Sequence, residues 1–187
     1  MENDQDRFFQ NETVSLPRKI ESHGILYEDP YKKIERITAE FEGFRKEYFV
    51  SDCGEKAAVL LICDDRLLLV RQYRLFVNGL SFEIPAGRVD EDESPEDAAA
   101  RECFEETGVA CGDLRPLISY DVDLECVRNH TYVFLSQAAD AGKSGLAKNH
   151  VWIPFGECLA MVFDGRISDS LSIISILAYH TSMTKSV

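Results

Sequence analysis

Residues 87–109 read GRVDEDESPEDAAARECFEETGV, and this stretch carries the clearest helix signal in the chain. Ser94 can cap a helix, the proline after it suits the first turn, and an acid three residues past the cap completes an arrangement similar to a capping box. Gly108 tolerates the left-handed conformation in which many helices end. The pattern therefore predicts one central helix that runs to about Thr107.

The predicted helix carries three acids on one face. Glu102, Glu105 and Glu106 are spaced i, i+3 and i+4, so their carboxylates project from the same side. They lie in the last two turns, where the helix dipole disfavours negative charge and each like-charged pair costs a few tenths of a kcal/mol. A bound divalent cation such as Mg²⁺ or Mn²⁺ would relieve this repulsion. The alternative is a solvated acidic face, which is common in acidic proteins.

The residues that flank the three glutamates favour the cation site. The spacing Gly-x5-Glu-x7-Arg-Glu-U-x-Glu-Glu-x-Gly-U, where U is bulky and apolar, resembles the Nudix box of the Nudix hydrolase family. Its fixed positions are Gly87, Glu93, Arg101, Glu102, Glu105, Glu106 and Gly108. A chance match has a probability on the order of 10⁻⁸ per starting point. Cys103 stands where the family normally has an aliphatic residue, but a buried thiol packs as a small hydrophobe.

The resemblance implies hydrolysis of a nucleoside diphosphate joined to another group. By position, Glu102 and Glu106 become metal ligands, and the carbonyl of Ala86 would also bind the metal. Glu105 becomes either a ligand or a hydrogen-bond partner of a metal-bound water. The cofactor expected from the resemblance is therefore Mg²⁺, or Mn²⁺.

The other box residues have structural roles in the family. Glu93 would pair with Arg101 and hold the loop in place. Gly87 and Gly108 would also have structural roles. The fold implied is an α/β (α+β) Nudix α/β/α sandwich with a mixed sheet.

The bulk properties set wider limits. A chain of 187 residues fits one domain, or one domain with a small appendage. The net charge of −13 argues against nucleic acid as a partner. We find no apolar run of the roughly 20 residues that cross a bilayer and no signal peptide at the start, so we expect a cytoplasmic protein without a membrane partner. The six cysteines show no C-x-x-C spacing, which favours free thiols.

Short strands and helices are predicted outside the central helix, and a sheet covered by helices is the natural packing. The predicted strands are 25–27, 33–41, 47–50, 57–63, 66–72, 81–84, 117–120, 131–137 and 150–153, and the other predicted helices are 155–163 and 168–181. Residues 57–63 and 66–72 should form a hairpin deep in the sheet, because two aspartates separate two apolar runs.

Further motifs resemble the branch of the family that acts on ADP-ribose and nucleotide sugars. They are Leu26–Tyr31, Val70-Arg71-Gln72-Tyr73-Arg74, Phe82-Glu83-Ile84-Pro85-Ala86-Gly87 and Gly165–Asp169. The resemblance implies substrate binding by Arg71, Arg74 and Glu83. It also implies that residues 1–50 form a small antiparallel β module, which pairs or swaps with a second subunit of a homodimer. Residues 51–187 would form the hydrolase domain.

Two departures from this branch leave the catalytic base open. The region 121–130 lacks the proline and Pro-Gly-x-x-x-Glu stretch common in the branch, and the loop 138–149 lacks its glutamate. The candidates for the base are Glu105, Glu125 and Asp140. The favoured substrate is a nucleoside diphosphate sugar such as ADP-ribose. The alternatives are a Nudix hydrolase of nucleoside triphosphates or dinucleotides, and a ligand sensor that keeps the fold without catalysis.

Overall fold

The order of elements is mixed, with strands on both sides of one central helix. A computed structural model describes residues 15–137 and 149–184. The strands are β1 (Lys19–Glu28), β2 (Lys33–Glu40), β3 (Arg45–Asp52), β4 (Lys56–Cys63), β5 (Arg66–Arg74), β6 (Gly79–Glu83), β7 (Ala86–Arg88), β8 (Arg115–Asp121), β9 (Val127–Arg128), β10 (His130–Gln137) and β11 (His150–Pro154). The helices are α1 (Pro95–Thr107), α2 (Phe155–Phe163) and α3 (Ser170–Thr184).

The chain divides into two compact units. The N-terminal unit contains the described residues up to Cys53 together with Asp123–Arg128. Its sheet has the order β1-β2-β3-β9, with β1 to β3 antiparallel and β9 parallel to β3. A turn brings β9 into this sheet, since Asp123 Oδ1 accepts hydrogen bonds from three following backbone N–H groups. That segment therefore belongs to the N-terminal sheet although it is distant in sequence.

The second unit contains Gly54–Val122 and the described part of Asn129–Val187. Its mixed sheet has the order β11-β5-β4-β10-β8, with β6 paired to β5 and β7 paired to β4. β10 runs parallel to β4, whereas β5 and β7 run antiparallel to it. The predicted hairpin of β4 and β5 is confirmed, and its turn uses positive φ angles of 47° at Asp64 and 59° at Asp65.

Helices cover both faces of this second sheet. Side chains alternate along a strand, so Leu60 and Ile62 of β4 pack with α2 and α3, whereas Val59 and Leu61 pack with α1. A strand that is buried on both faces should be apolar throughout, and all β4 residues after Lys56 are buried. The predicted α/β/α sandwich is therefore confirmed.

The central helix has the predicted ends. Ser94 Oγ accepts the N–H of Asp97 at 3.1 Å, and Gly108 has a φ of 72° and donates its N–H to Phe104 O at 2.8 Å. The two shortest strands, β7 and β9, were not predicted, because strands of two or three residues form only through pairing with a neighbour.

Two other sequence predictions concern the cysteines and membrane-spanning segments. All six cysteines, which fall within the described residues, are free thiols as predicted. Of the described helices, none combines the length and the apolar character needed to cross a bilayer.

Candidate active site

The acidic helix α1 brings two of its glutamates to one short piece of backbone. The N–H of Ala86 donates to Glu106 Oε2 at 3.2 Å, which ties the glutamate to β7. A Cβ on Gly87 would overlap the carboxylate of Glu102, so this carboxylate lies directly against the Gly87 backbone. The structure therefore brings Glu102 and Glu106 of α1 together at the Ala86–Gly87 backbone of β7.

Glu105 has different surroundings from the other two glutamates. Its side chain is 58% exposed, and its carboxylate accepts from Arg101 Nη1 at 3.4 Å. The described residues hold no preformed group of three Asp, Glu, His or Cys side chains around one point. The site thus offers two converging carboxylates and neighbouring backbone, with Glu105 more peripheral.

Arg101 connects the loop and the helix of this site. Its Nε and Nη2 donate to the two carboxylate oxygens of Glu93, both at 2.9 Å, and Nη2 also donates to Arg88 O at 3.0 Å. Its Nη1 donates to Glu102 Oε1 at 2.7 Å. The hydrogen bonds from Arg101 lower the pKa of Glu93. One guanidinium therefore holds the loop against α1 and orients Glu102.

Burial and charge act on Glu106. Removal from water raises the pKa of Glu106, the hydrogen bonds from Ala86 and Gln72 lower it, and the nearby charge of Glu102 raises it further, so that the pKa lies above its ordinary value. A half-buried carboxylate next to a second carboxylate is the environment that a cation would stabilise. Oxygen ligands of this kind suit Mg²⁺, which binds few carboxylates and completes its shell with carbonyls, water and phosphates. The residues present therefore fit the predicted cation.

The arginines predicted to bind substrate lie on opposite faces of β5. The pairing of β5 with β6 is unbroken from Val70 to Arg74, so the side chains alternate regularly. Arg74 shares the α1-facing side with Glu83 and forms two hydrogen bonds with it, one from Nε at 2.7 Å. Arg71 points to the other face, and its N–H donates to Asn149 O at 2.7 Å. Strand alternation alone places Arg71 and Arg74, three positions apart, on opposite faces, but only the fold shows which of these faces α1 covers.

Glu83 is the buried partner of Arg74. Burial acts to raise the pKa of Glu83, but the hydrogen bond and charge of Arg74 outweigh it, and the pKa lies below the ordinary value of 4.5. The side chain of Glu83 is only 9% exposed, against 48% for Arg74. Glu83 therefore fixes the guanidinium of Arg74 on the face of the sheet that α1 covers.

The three candidate bases fall in different places. Glu105 lies on α1 in the second unit. Glu125 lies in the N-terminal unit, where its carboxylate pairs with Lys46 and is 61% exposed. Asp140 lies outside the described residues. The identity of the base stays a prediction.

One residue of this site was given no role by the sequence reasoning. Gln72 Nε2 donates to Glu106 Oε1 across a sequence separation of 34 residues. Gln72 is within a quoted motif and two residues before Arg74, so strand alternation alone would have placed it on the same face. Only the fold shows that this face meets the acidic helix.

A cavity of about 270 Å³ lies at another part of the same sheet. It is lined by Asp113, Arg115, Leu135, Ser136 and Gln137, none of which was predicted as a site residue. Gln137, at the end of β10, pairs with Ile62 near the C-terminal end of β4. Ala86 pairs instead with Ala58, near the N-terminal end of β4. The cavity is therefore separate from the carboxylates.

The chain is similar in sequence to known proteins. The family model described as NUDIX domain matches residues 55–166. A CMP-5'-(N-acetyl-N-hydroxy-3-aminopropyl)phosphonate hydrolase from Streptomyces rubellomurinus is 33% identical over 139 residues, covering 71% of this chain and 66% of the relative. A GDP-mannose pyrophosphatase from Klebsiella pneumoniae is 33% identical over 148 residues, covering 71% of this chain and 74% of the relative.

A solved structure shares the fold. The crystal structure of an ADP compounds hydrolase superposes with a TM-score of 0.73 and 17% sequence identity, covering 94% of this chain and 97% of the other. At this identity the likeness concerns the arrangement of the elements.

Proposed function

This chain belongs to the NUDIX domain family, and on that premise we propose that it hydrolyses the pyrophosphate bond of a nucleoside diphosphate sugar. The products are a nucleoside monophosphate and a sugar phosphate. The observation that carries the proposal is the convergence of Glu102 and Glu106 on the Ala86–Gly87 backbone. Relatives named for nucleotide hydrolysis, among them the GDP-mannose pyrophosphatase, support this class of substrate.

A divalent cation, Mg²⁺ or Mn²⁺, completes the proposed site. Glu102, Glu106 and the carbonyl of Ala86 would hold it. The chemistry that such a cation supplies is neutralisation of phosphate oxygens and a lowered pKa for a bound water. In a chain with a net charge of −13, a cation also allows an anionic substrate to approach the acidic helix.

Arg74 of β5 would bind the substrate phosphates near the cation. A guanidinium has five N–H donors, and the pair with Glu83 uses two of those on Arg74. Because Glu83 restrains the planar group, Arg74 loses little further entropy when it binds a phosphate. Arg71, on the other face of the strand, is a second proposed contact.

The base that takes a proton from the attacking water is proposed among Glu105, Glu125 and Asp140. Glu105 is favoured by its place on α1, next to the two converging carboxylates, and by its exposure, which keeps it accessible to water. Alanine at each position in turn tests this set. If all three variants keep the wild-type kcat, the base is a different group.

Hydrolysis of a substrate panel tests the proposed function. The panel contains ADP-ribose, GDP-mannose, UDP-glucose, NADH, a diadenosine polyphosphate and the nucleoside triphosphates, each with Mg²⁺ and with Mn²⁺. We expect turnover of a diphosphate sugar, reduced at least about 100-fold in Glu106→Gln. The matched control is Glu96→Gln, which removes the same charge from an exposed position in the first turn of the same helix. Preference for a triphosphate, or binding without turnover, would contradict the proposal.

The N-terminal unit is proposed to form a homodimer. Among the described strands, β1 lies at the edge of its sheet; it is exposed along its whole length and carries Ile20, Ile25 and Leu26, each more than half exposed. Exposed apolar side chains on an unpaired edge are typical of a protein interface. Light scattering after size exclusion should give twice the mass of 21.2 kDa, and Leu26→Asp should shift it towards the monomer. A monomeric wild type at micromolar concentration would refute the dimer.

A further inference from the structure

Glu106 receives a hydrogen bond on each of its carboxylate oxygens. The amide of Gln72 donates to Oε1, and the N–H of Ala86 donates to Oε2 at 3.2 Å. Each carboxylate oxygen has two lone pairs, so one acceptor site on each oxygen remains for a cation. A carboxylate that is held at both oxygens cannot rotate without breaking a hydrogen bond.

The backbone that carries Gln72 is itself restrained. Gln72 pairs with Ser81 within the unbroken ladder of β5 and β6, and its side chain is half-buried. It extends from the sheet to α1 and so connects the strand that bears Arg74 with the helix that bears Glu106. The position of its amide is thus set by the packing of the sheet.

The chemical character of Gln72 suits a metal site. Its amide donates a hydrogen bond without a charge, so it restrains Glu106 without competing with a cation for the carboxylate. Arg or Lys at this position would neutralise Glu106, and Glu would add a third repelling carboxylate.

We propose that Gln72 is a positioning residue for Glu106, which holds this carboxylate in the orientation that binds the cation before the cation arrives. The inference rests on the proposed function, because it assigns a partner to one of the proposed ligands. Partners of this kind around a metal ligand typically change metal affinity by about 10- to 100-fold.

Direct Mn²⁺ binding, measured by electron paramagnetic resonance of the free ion, tests the role of Gln72. Gln72→Leu and Gln72→Thr both remove the amide but pack differently. If one variant folds poorly, Mn²⁺ binding can still be measured on the other. We expect a dissociation constant for Mn²⁺ about 10-fold weaker in each, with a melting temperature close to that of the wild type. The matched control is Tyr73→Phe, which changes the next residue on the opposite face of the same strand and should leave Mn²⁺ binding unchanged.

Kinetics give a second readout that loss of packing would not produce. The activity of Gln72→Leu should be low at subsaturating Mn²⁺ and recover towards the wild-type kcat as the metal is raised, with little change in the KM for substrate. Wild-type Mn²⁺ affinity in both variants would overturn the positioning role while leaving the proposed function intact. A wild type that turns over no member of the panel would instead overturn the proposed function.

Discussion

Replacing Gly87 with alanine tests the geometry of the site most directly. The added methyl group would occupy the space of the Glu102 carboxylate, so one of the two must move. Gly87 pairs with Ala57 of β4, and β4 lies in the densely packed core, so the backbone has little freedom to withdraw. We therefore expect Glu102 to turn away and to lose its 2.7 Å hydrogen bond from Arg101.

The size of the effect follows from these contacts. A hydrogen bond to a charged group contributes about 1.5–3 kcal/mol, and water replaces part of it because Glu102 is 17% exposed. Alanine recovers about 0.4–1 kcal/mol by restricting the unfolded chain. The net loss in the free energy of unfolding is about 1–2 kcal/mol, which lowers the melting temperature by roughly 2–8 °C for a chain of this size. Mn²⁺ affinity should decrease by at least about 10-fold, because a proposed ligand is displaced.

Circular dichroism during thermal unfolding and the Mn²⁺ titration give the two readouts. The control is Gly156→Ala in α2, where a new Cβ meets nothing within 4 Å and should leave stability equal or slightly higher. If Gly87→Ala binds Mn²⁺ as the wild type does and keeps its turnover, Glu102 is not a ligand in the orientation described above.

Three further changes test the stability of the elements around the site. Ser94→Ala should reduce the free energy of unfolding by about 1 kcal/mol, because the cap of α1 is lost, whereas Ser94→Asn should retain most of it in urea unfolding. Arg101→Lys should reduce the free energy of unfolding by about 2 kcal/mol, because one ammonium cannot replace the bidentate pair with Glu93 together with the hydrogen bond to Arg88 O. Arg166→Lys, which changes an exposed ion pair with Asp164, should reduce it by less than about 1 kcal/mol. The lowered pKa of Glu83, caused by Arg74, contributes stability that is present above the unfolded value of 4.5 and is lost as pH falls through the folded value. The difference in unfolding free energy between wild type and Glu83→Gln should therefore be constant above about pH 5 and shrink below it, and a constant difference down to pH 3 would contradict this assignment.

Local signals were sufficient for the central helix. Its cap at Ser94 and its end at Gly108 depend on residues within three or four positions of each other, so the sequence alone predicted both. The same holds for the alternation of strands and for the spacing of the three glutamates. The family and the α/β/α sandwich also followed from this stretch, because the box has many fixed positions.

Contacts between distant segments decided the rest. Residues far apart in the chain meet in the parallel pairing of β10 with β4 and in the pairings of the short strands β7 and β9. The same is true of Glu125, which belongs to the N-terminal unit. No local pattern encodes these pairings, because their energy comes from burial and hydrogen bonds that exist only once the sheets have formed.

The site shows the same division between sequence and structure. The sequence predicted which side chains are candidates for binding a cation and phosphates, since the residue types and their spacing along one helix are local facts. The tertiary structure decided that Glu102 and Glu106 meet at Ala86–Gly87, and that Gln72 lies within reach of Glu106. The physical reason is that a side chain's partner across a sheet and a helix depends on how those elements pack, and packing is a property of the whole folded unit.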